Sequence, residues 1–184
     1  MTFRWNMVAV LVLMLLAGPA ASERMKRPMK VHRVAAVGLV IVTEQSPEWT
    51  GRIQRQGDKA IYVVESPDNN YPPVVMNYLS FPEMPYTPGE LEEIARGAIR
   101  QAMVNYRAVN PGSVPIRRRN WGILEGYEAV FAGRGGGQPL DVRVFVGAAP
   151  GKPLVAMHAY TLRGKMAHIS ENIRRAWSNV KYLE

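Results

Sequence analysis

The chain has no cysteine, which excludes disulfides, thiolate metal sites and a lipid-modified N-terminal cysteine. Histidine is scarce too. His32, His158 and His168 lie far apart, with no His-Glu-x-x-His and no paired-histidine helix among them, so no local metal-ligand spacing exists. No serine sits in a Gly-x-Ser-x-Gly elbow. Gly133–Gln138 is glycine-rich but is not followed by the Lys-Ser/Thr and helix of a phosphate-binding loop, and reads as a hairpin loop. Glu125 and Glu128 flank Tyr127 on an expected strand, where a separation of three sends them to opposite faces and rules out an acid/base pair. No catalytic group, cofactor site or metal site is expected on these grounds.

Long apolar runs are missing as well. The longest, Met7–Ala17, falls short of the roughly 18 residues a membrane span needs. It follows Arg4 and ends at Gly18-Pro19 and the small residues Ala20-Ala21-Ser22, the layout of a cleavable secretory signal peptide over residues 1–21. The expected destination is periplasmic or secreted. Residues 22–34 hold Arg24, Lys26, Arg27, Lys30 and Arg33 around Pro28, without apolar periodicity, and are expected to be a flexible basic stem. Residues 35–184 fit one domain.

Acidic residues number 15 against 23 Lys and Arg, a formal charge of +8, lowered by one if the leader with Arg4 is removed. Such a chain is drawn to anionic surfaces, which makes peripheral membrane contact, a cell-wall polymer or an acidic partner conceivable. No nucleic-acid motif accompanies the charge, and no nucleic-acid partner is expected.

Within the domain, Val37–Thr43, Trp49–Arg55, Ala60–Glu65 and Val74–Phe81 read as four strands joined by short turns, which favours an antiparallel meander. Thr87-Pro88-Gly89-Glu90 is expected to cap a helix as a capping box, with Tyr86 and Leu91 as a staple. Apolar residues from Leu91 to Tyr106 recur at helical spacing, and Asn110-Pro111-Gly112 closes the segment near Val109. Strands are expected again over 114–124, 127–132, 141–146 and 154–162, then a second helix over about 165–178. Strand runs interrupted by single helices give an α+β class, an antiparallel β-sheet with two main helices packed on it.

This order, with Glu125-Gly-Tyr-Glu-Ala-Val-Phe, Asp141-Val-Arg-Val-Phe-Val and the closing Ile173-Arg-Arg-Ala-Trp-Ser-Asn-Val-Lys-Tyr-Leu, resembles the PsbP-like fold family, which includes bacterial DcrB-type periplasmic domains. The resemblance covers residues 36 to 184. It implies an αβα sandwich and a non-enzymatic accessory domain that binds a protein partner or stabilises an assembly. A Pro-Glu-Gly-Trp-like turn expected after the first strand is replaced by Ser46-Pro47-Glu48-Trp49, without the glycine.

One surface stands out from charge alone. Arg117, Arg118 and Arg119, followed by Trp121, must expose charge on both sides of an extended strand, and Arg134 and Arg143 are brought near if the hairpins align. These six residues are the candidate contact for an anion or a partner. The expected function is a binding module for a protein partner or envelope component. The alternatives are a peripheral binder of anionic membrane or polymer, and a hydrolase with a composite active site.

Overall fold

A computed structural model describes residues 28–184; the expected leader and residues 22–27 of the basic stem lie outside the described residues. Its strands are β1 (Met29–Val34), β2 (Leu39–Glu44), β3 (Thr50–Gln56), β4 (Lys59–Glu65), β5 (Val75–Phe81), β6 (Arg117–Trp121), β7 (Leu124–Gly135), β8 (Gln138–Ala148), β9 (Leu154–Leu162) and β10 (Lys181–Tyr182). Two helices, α1 (Leu91–Asn105) and α2 (Met166–Trp177), interrupt them. The class is α+β with antiparallel sheets, as the alternation of strand runs and single helices indicates.

Seven strands form one sheet in the order β3-β4-β5-β9-β8-β7-β6, and three form a second in the order β1-β2-β10. Two expectations are corrected here. Residues 29–34 are not flexible stem but a strand paired along its whole length with β2, from Met29 opposite Glu44 to Val34 opposite Leu39. Val34 is buried, and with Val37, Leu39 and Ile41 it supplies the apolar anchor that charge density alone concealed. The four-strand meander also breaks after its first member: β2 leaves to build the small sheet, and only β3, β4 and β5 continue as expected.

The two faces of the long sheet carry different cores. On one face α2 and the small sheet enclose Leu39, Ile41, Trp49, Tyr78, Trp121, Phe145, Met157 and Trp177. The other face carries α1, whose Ala95, Ile99, Ala102 and Met103 meet Ala129, Val142, Val144 and Val146. The alternation of β8 divides the clusters: Val142, Val144 and Val146 go to the α1 face and Phe145 to the α2 face. Gly126 and Gly147, opposite one another in β7 and β8, leave room for the Phe145 ring. A Cβ on Gly147 would lie 2.3 Å from the Glu125 carbonyl and 2.5 Å from the ring tip.

Helix ends follow local chemistry with two departures. The Glu90 carboxylate accepts from the Thr87 backbone N–H at 2.7 Å, the returning half of a capping box. The Thr87 hydroxyl, however, donates to that same carboxylate at 2.8 Å, and the helix starts at Leu91. At the other end α1 stops at Asn105, short of Val109, because Arg107 turns left-handed (φ 48°) and the Ala108 N–H reaches back to the Met103 carbonyl at 2.8 Å. The strand expected over 114–124 is split by a turn at Gly122, whose φ of 57° suits glycine, so that Trp121 and Leu124 face each other across a tight hairpin.

Candidate functional site

The strand ends nearest the α1 N-terminus open into a cleft of about 720 Å³. Its floor is the α1 face of three strands, with Arg118 on β6, Glu125 and Tyr127 on β7, and Ala148 on β8. One wall is the segment Pro82–Glu92, the other the turn Ala149–Pro153. Prolines recur at every third residue in both walls, at 82, 85 and 88 and again at 150 and 153. Proline fixes φ and removes a backbone donor, so such walls are stiff and present apolar rings with few polar demands.

Hydrogen bonds hold the walls to the floor. The Tyr127 hydroxyl donates to Glu92 at 2.7 Å, and Arg96 Nε donates to the second oxygen of that carboxylate at 2.7 Å while its guanidinium lies 5.2 Å from the Tyr127 ring. This joins α1 to β7. The Tyr86 hydroxyl donates to the Lys152 carbonyl at 3.0 Å, tying one wall to the other. Below them Tyr182 donates to the Pro153 carbonyl at 2.7 Å and accepts from the Ala149 N–H at 3.2 Å. Arg118 donates to Glu125 across the hairpin at 3.1 Å.

These bonds set the protonation states. The Tyr127 hydroxyl, with Arg96 second, holds the Glu92 carboxyl below its ordinary range, and the Glu92 carboxylate in return raises the Tyr127 phenol. Burial raises Tyr86. An ionised Glu92 is a poor proton donor near neutrality. Among the described residues no group of three His, Asp or Glu is placed to hold a metal ion.

Of the six residues singled out in sequence, the cleft takes only Arg118. Register puts Arg117, Arg119 and Trp121 on the opposite, α2 face, together with Arg143 and Arg134. Arg119 covers the Trp121 ring at 5.1 Å, and Trp121 is buried edge-to-face against Trp177, its indole N–H donating to Glu128 at 3.0 Å. Trp121 is therefore a core residue. Arg143, opposite Val130, has a buried Nε without a partner, whereas Arg134 is exposed at the far hairpin, four residues beyond Val130 along β7. The five arginines are thus a strip over both faces and two hairpins rather than one cluster.

Glu125 and Glu128 do point to opposite faces, one bonded to Arg118 and the other to Trp121. His158 is a sheet residue mostly enclosed beside Tyr106, sharing a 3.3 Å hydrogen bond, and burial depresses its pKa to about 4. His168 is exposed on α2. His32 lies on β1 between Thr43 and Tyr62. The histidines are not gathered. Sequence reasoning missed Tyr86, Glu92 and Tyr127; the legible signal was the period-three proline in both walls.

No family model matches this chain, and no curated protein matches it. Among solved structures, a protein from Bacteroides thetaiotaomicron is similar, with a TM-score of 0.53 at 9% identity. The match covers 84% of this chain and 48% of the other, so the chain spans about half the length of that neighbour. A likeness at this identity is one of fold alone.

Proposed function

We propose that this is an exported, non-enzymatic accessory domain that holds a segment of a protein partner in the cleft beneath Pro82–Glu92. The observation that carries the reading is the cleft itself: an open space of about 720 Å³ whose walls are stiffened by proline and whose polar groups are already bonded to one another. Such a surface offers tyrosine, proline and alanine to a ligand while needing no proton transfer from it. Grooves lined by rigid aromatic and apolar groups suit extended peptide segments, which lose little entropy on docking. The leader read from residues 1–21 supplies the compartment, and the resemblance to PsbP-like domains supports both the αβα description and the accessory role. A hydrolase is disfavoured because Glu92 and Glu125 are occupied by Tyr127, Arg96 and Arg118.

The test is site-specific photocrosslinking in the native envelope. A photoreactive residue replacing Met84 on the cleft wall is expected to trap one protein, and Tyr127→Ala is expected to abolish the product. The same residue at Val104, exposed on α1 away from the cleft, is the control. Equal labelling at both positions, or labelling that survives Tyr127→Ala, would remove the proposal.

A further inference from the structure

The open edges of both sheets share one property. The edge strands are β1 and β10 in the small sheet, and β3 and β6 in the long one. They carry Lys30 and Arg33, Lys181, Arg52 and Arg55, and Arg117, Arg118 and Arg119, with no Asp or Glu in any of them. The acidic strand residues Glu44, Glu65, Glu125, Glu128 and Asp141 all lie on interior strands. An edge strand presents unpaired backbone groups to whatever can complete its ladder. When two copies of this chain meet edge to edge, cation faces cation, and like charges directly opposite one another disfavour pairing. The charge pattern therefore disfavours pairing with a second copy and complements an acidic strand.

Among the edges, β6 is the most strongly charged, with three consecutive arginines. β1 and β3 carry two cations each, one of them ion-paired (Lys30 with Glu48, Arg52 with Glu65), and β10 is two residues long with one. On β6, Arg117–Asn120 are exposed, and among the described residues neither Arg117 nor Arg119 has an ion-pair partner. Arg118 is bound to Glu125 only, with its side chain 72% exposed. No backbone hydrogen bond from outside the hairpin reaches the outer side of β6 among the described residues. Its inner side is fully paired with β7, from Arg117 opposite Glu128 to Trp121 opposite Leu124, so the strand is rigidly held for docking.

We infer that β6 is a docking edge at which an extended acidic segment of a partner protein joins the long sheet as an eighth strand. An anionic membrane or polymer fits less well. Alternation sends Arg117 and Arg119 to one face and Arg118 to the other, so a flat surface meets only part of the charge and leaves the backbone ladder unfilled. A strand with acidic side chains on both its faces answers all three arginines and the ladder together. The inference rests on the proposed partner-binding role and names the partner's chemistry. Arg118 also lines the cleft, so a bound strand would run past its mouth.

The experiment is a titration of the isotopically labelled full-length protein, as exported, with a soluble peptide alternating Glu and Thr, read by backbone amide shifts and amide hydrogen exchange. Expected are shifts and new protection at Arg117–Asn120, weakened by added salt and by Arg117→Glu with Arg119→Glu, which should lower affinity about tenfold or more. Arg117→Gln with Arg119→Gln gives a smaller loss and serves if the double reversal does not fold. A peptide alternating Lys and Thr should produce no change. Absence of shifts on β6, equal shifts at β1 and β3, or β6 shifts produced by phosphatidylglycerol vesicles and not by the acidic peptide would each overturn the inference. Failure of the Met84 crosslink with β6 shifts intact would remove the cleft reading alone.

Discussion

Where α2 and the small sheet cover the long sheet, large aromatics interlock: Trp177, Tyr78 and Phe145 are fully buried, and Trp121 stands edge-on to Trp177 at 5.5 Å between centroids. Across the sheet, α1 brings no aromatic ring but Ala95 and Ala102 beside Ile99 and Met103, and packs chiefly over β7 and β8. The difference separates two tasks. The aromatic face closes the fold, and the lightly covered face leaves open space at the strand ends, where Tyr86 and Tyr127 have their hydroxyls fixed by bonds but are not sealed in a core.

Substitutions at buried positions on each face sharpen that contrast most. Trp177→Ala is expected to cost about 3–5 kcal/mol, because it removes a ring packed on Trp121 and leaves a cavity that rigid neighbours cannot fill. Ile99→Ala, equally buried on the other face, should cost less, about 2–3 kcal/mol, since a single helix can shift to close the gap. Urea unfolding of both variants decides; a larger loss at Ile99 would reverse the assignment of the faces. Gly147→Ala comes next, at about 1–3 kcal/mol, because the new Cβ would meet the Glu125 carbonyl, which the hairpin cannot move aside. A neutral result there would show that the β7 backbone at Glu125, as well as the Phe145 ring, moves aside for the new Cβ.

The third test is acidity. Burial holds His158 at about 4 in the folded chain, against 6.5 when exposed. The unfolded chain therefore binds a proton that the folded one refuses, so stability is complete above pH 6.5 and falls as pH drops toward 4. The limiting slope is about 1.4 kcal/mol per pH unit. His158→Gln should flatten that part of the profile in denaturant midpoints measured from pH 7 to 4.5. An unchanged profile would place the acid sensitivity elsewhere, His32 being next because burial lowers it too.

How far the sequence carries the fold is visible in particular residues. Leu91, Ile94, Ala95 and Ile99 announce α1 because helical spacing depends only on neighbours in the chain. Strand partners depend on distant residues. Nothing local to Val37–Thr43 reveals that it pairs with Met29–Val34, whose lysine, histidine and arginine mask a strand in which Val34 alone is buried. The cleft was half legible. Proline at every third position marks stiff segments, but only the fold brings 82–88 opposite 150–153. For the arginines, alternation foretold exposure on both faces, and the register then separated Arg118 from Arg117 and Arg119.

The smallest effects fall on those three arginines, and their order is informative. Arg119 lies over the Trp121 ring, so Arg119→Ser should cost most, about 0.5–1 kcal/mol, through loss of that contact. Arg118→Ser removes an exposed ion pair with Glu125, worth about 0–1 kcal/mol and screened by salt. Arg117→Ser should change the melting temperature least, because Arg117 is exposed and has no ion-pair partner among the described residues. Differential scanning calorimetry of the three single variants gives the ranking directly. The order 119, 118, 117 leaves Arg117 as charge held at an edge for something outside the domain. If Arg117 instead costs most, it supports β7 through Glu128 opposite it, and the edge is built to be closed rather than extended.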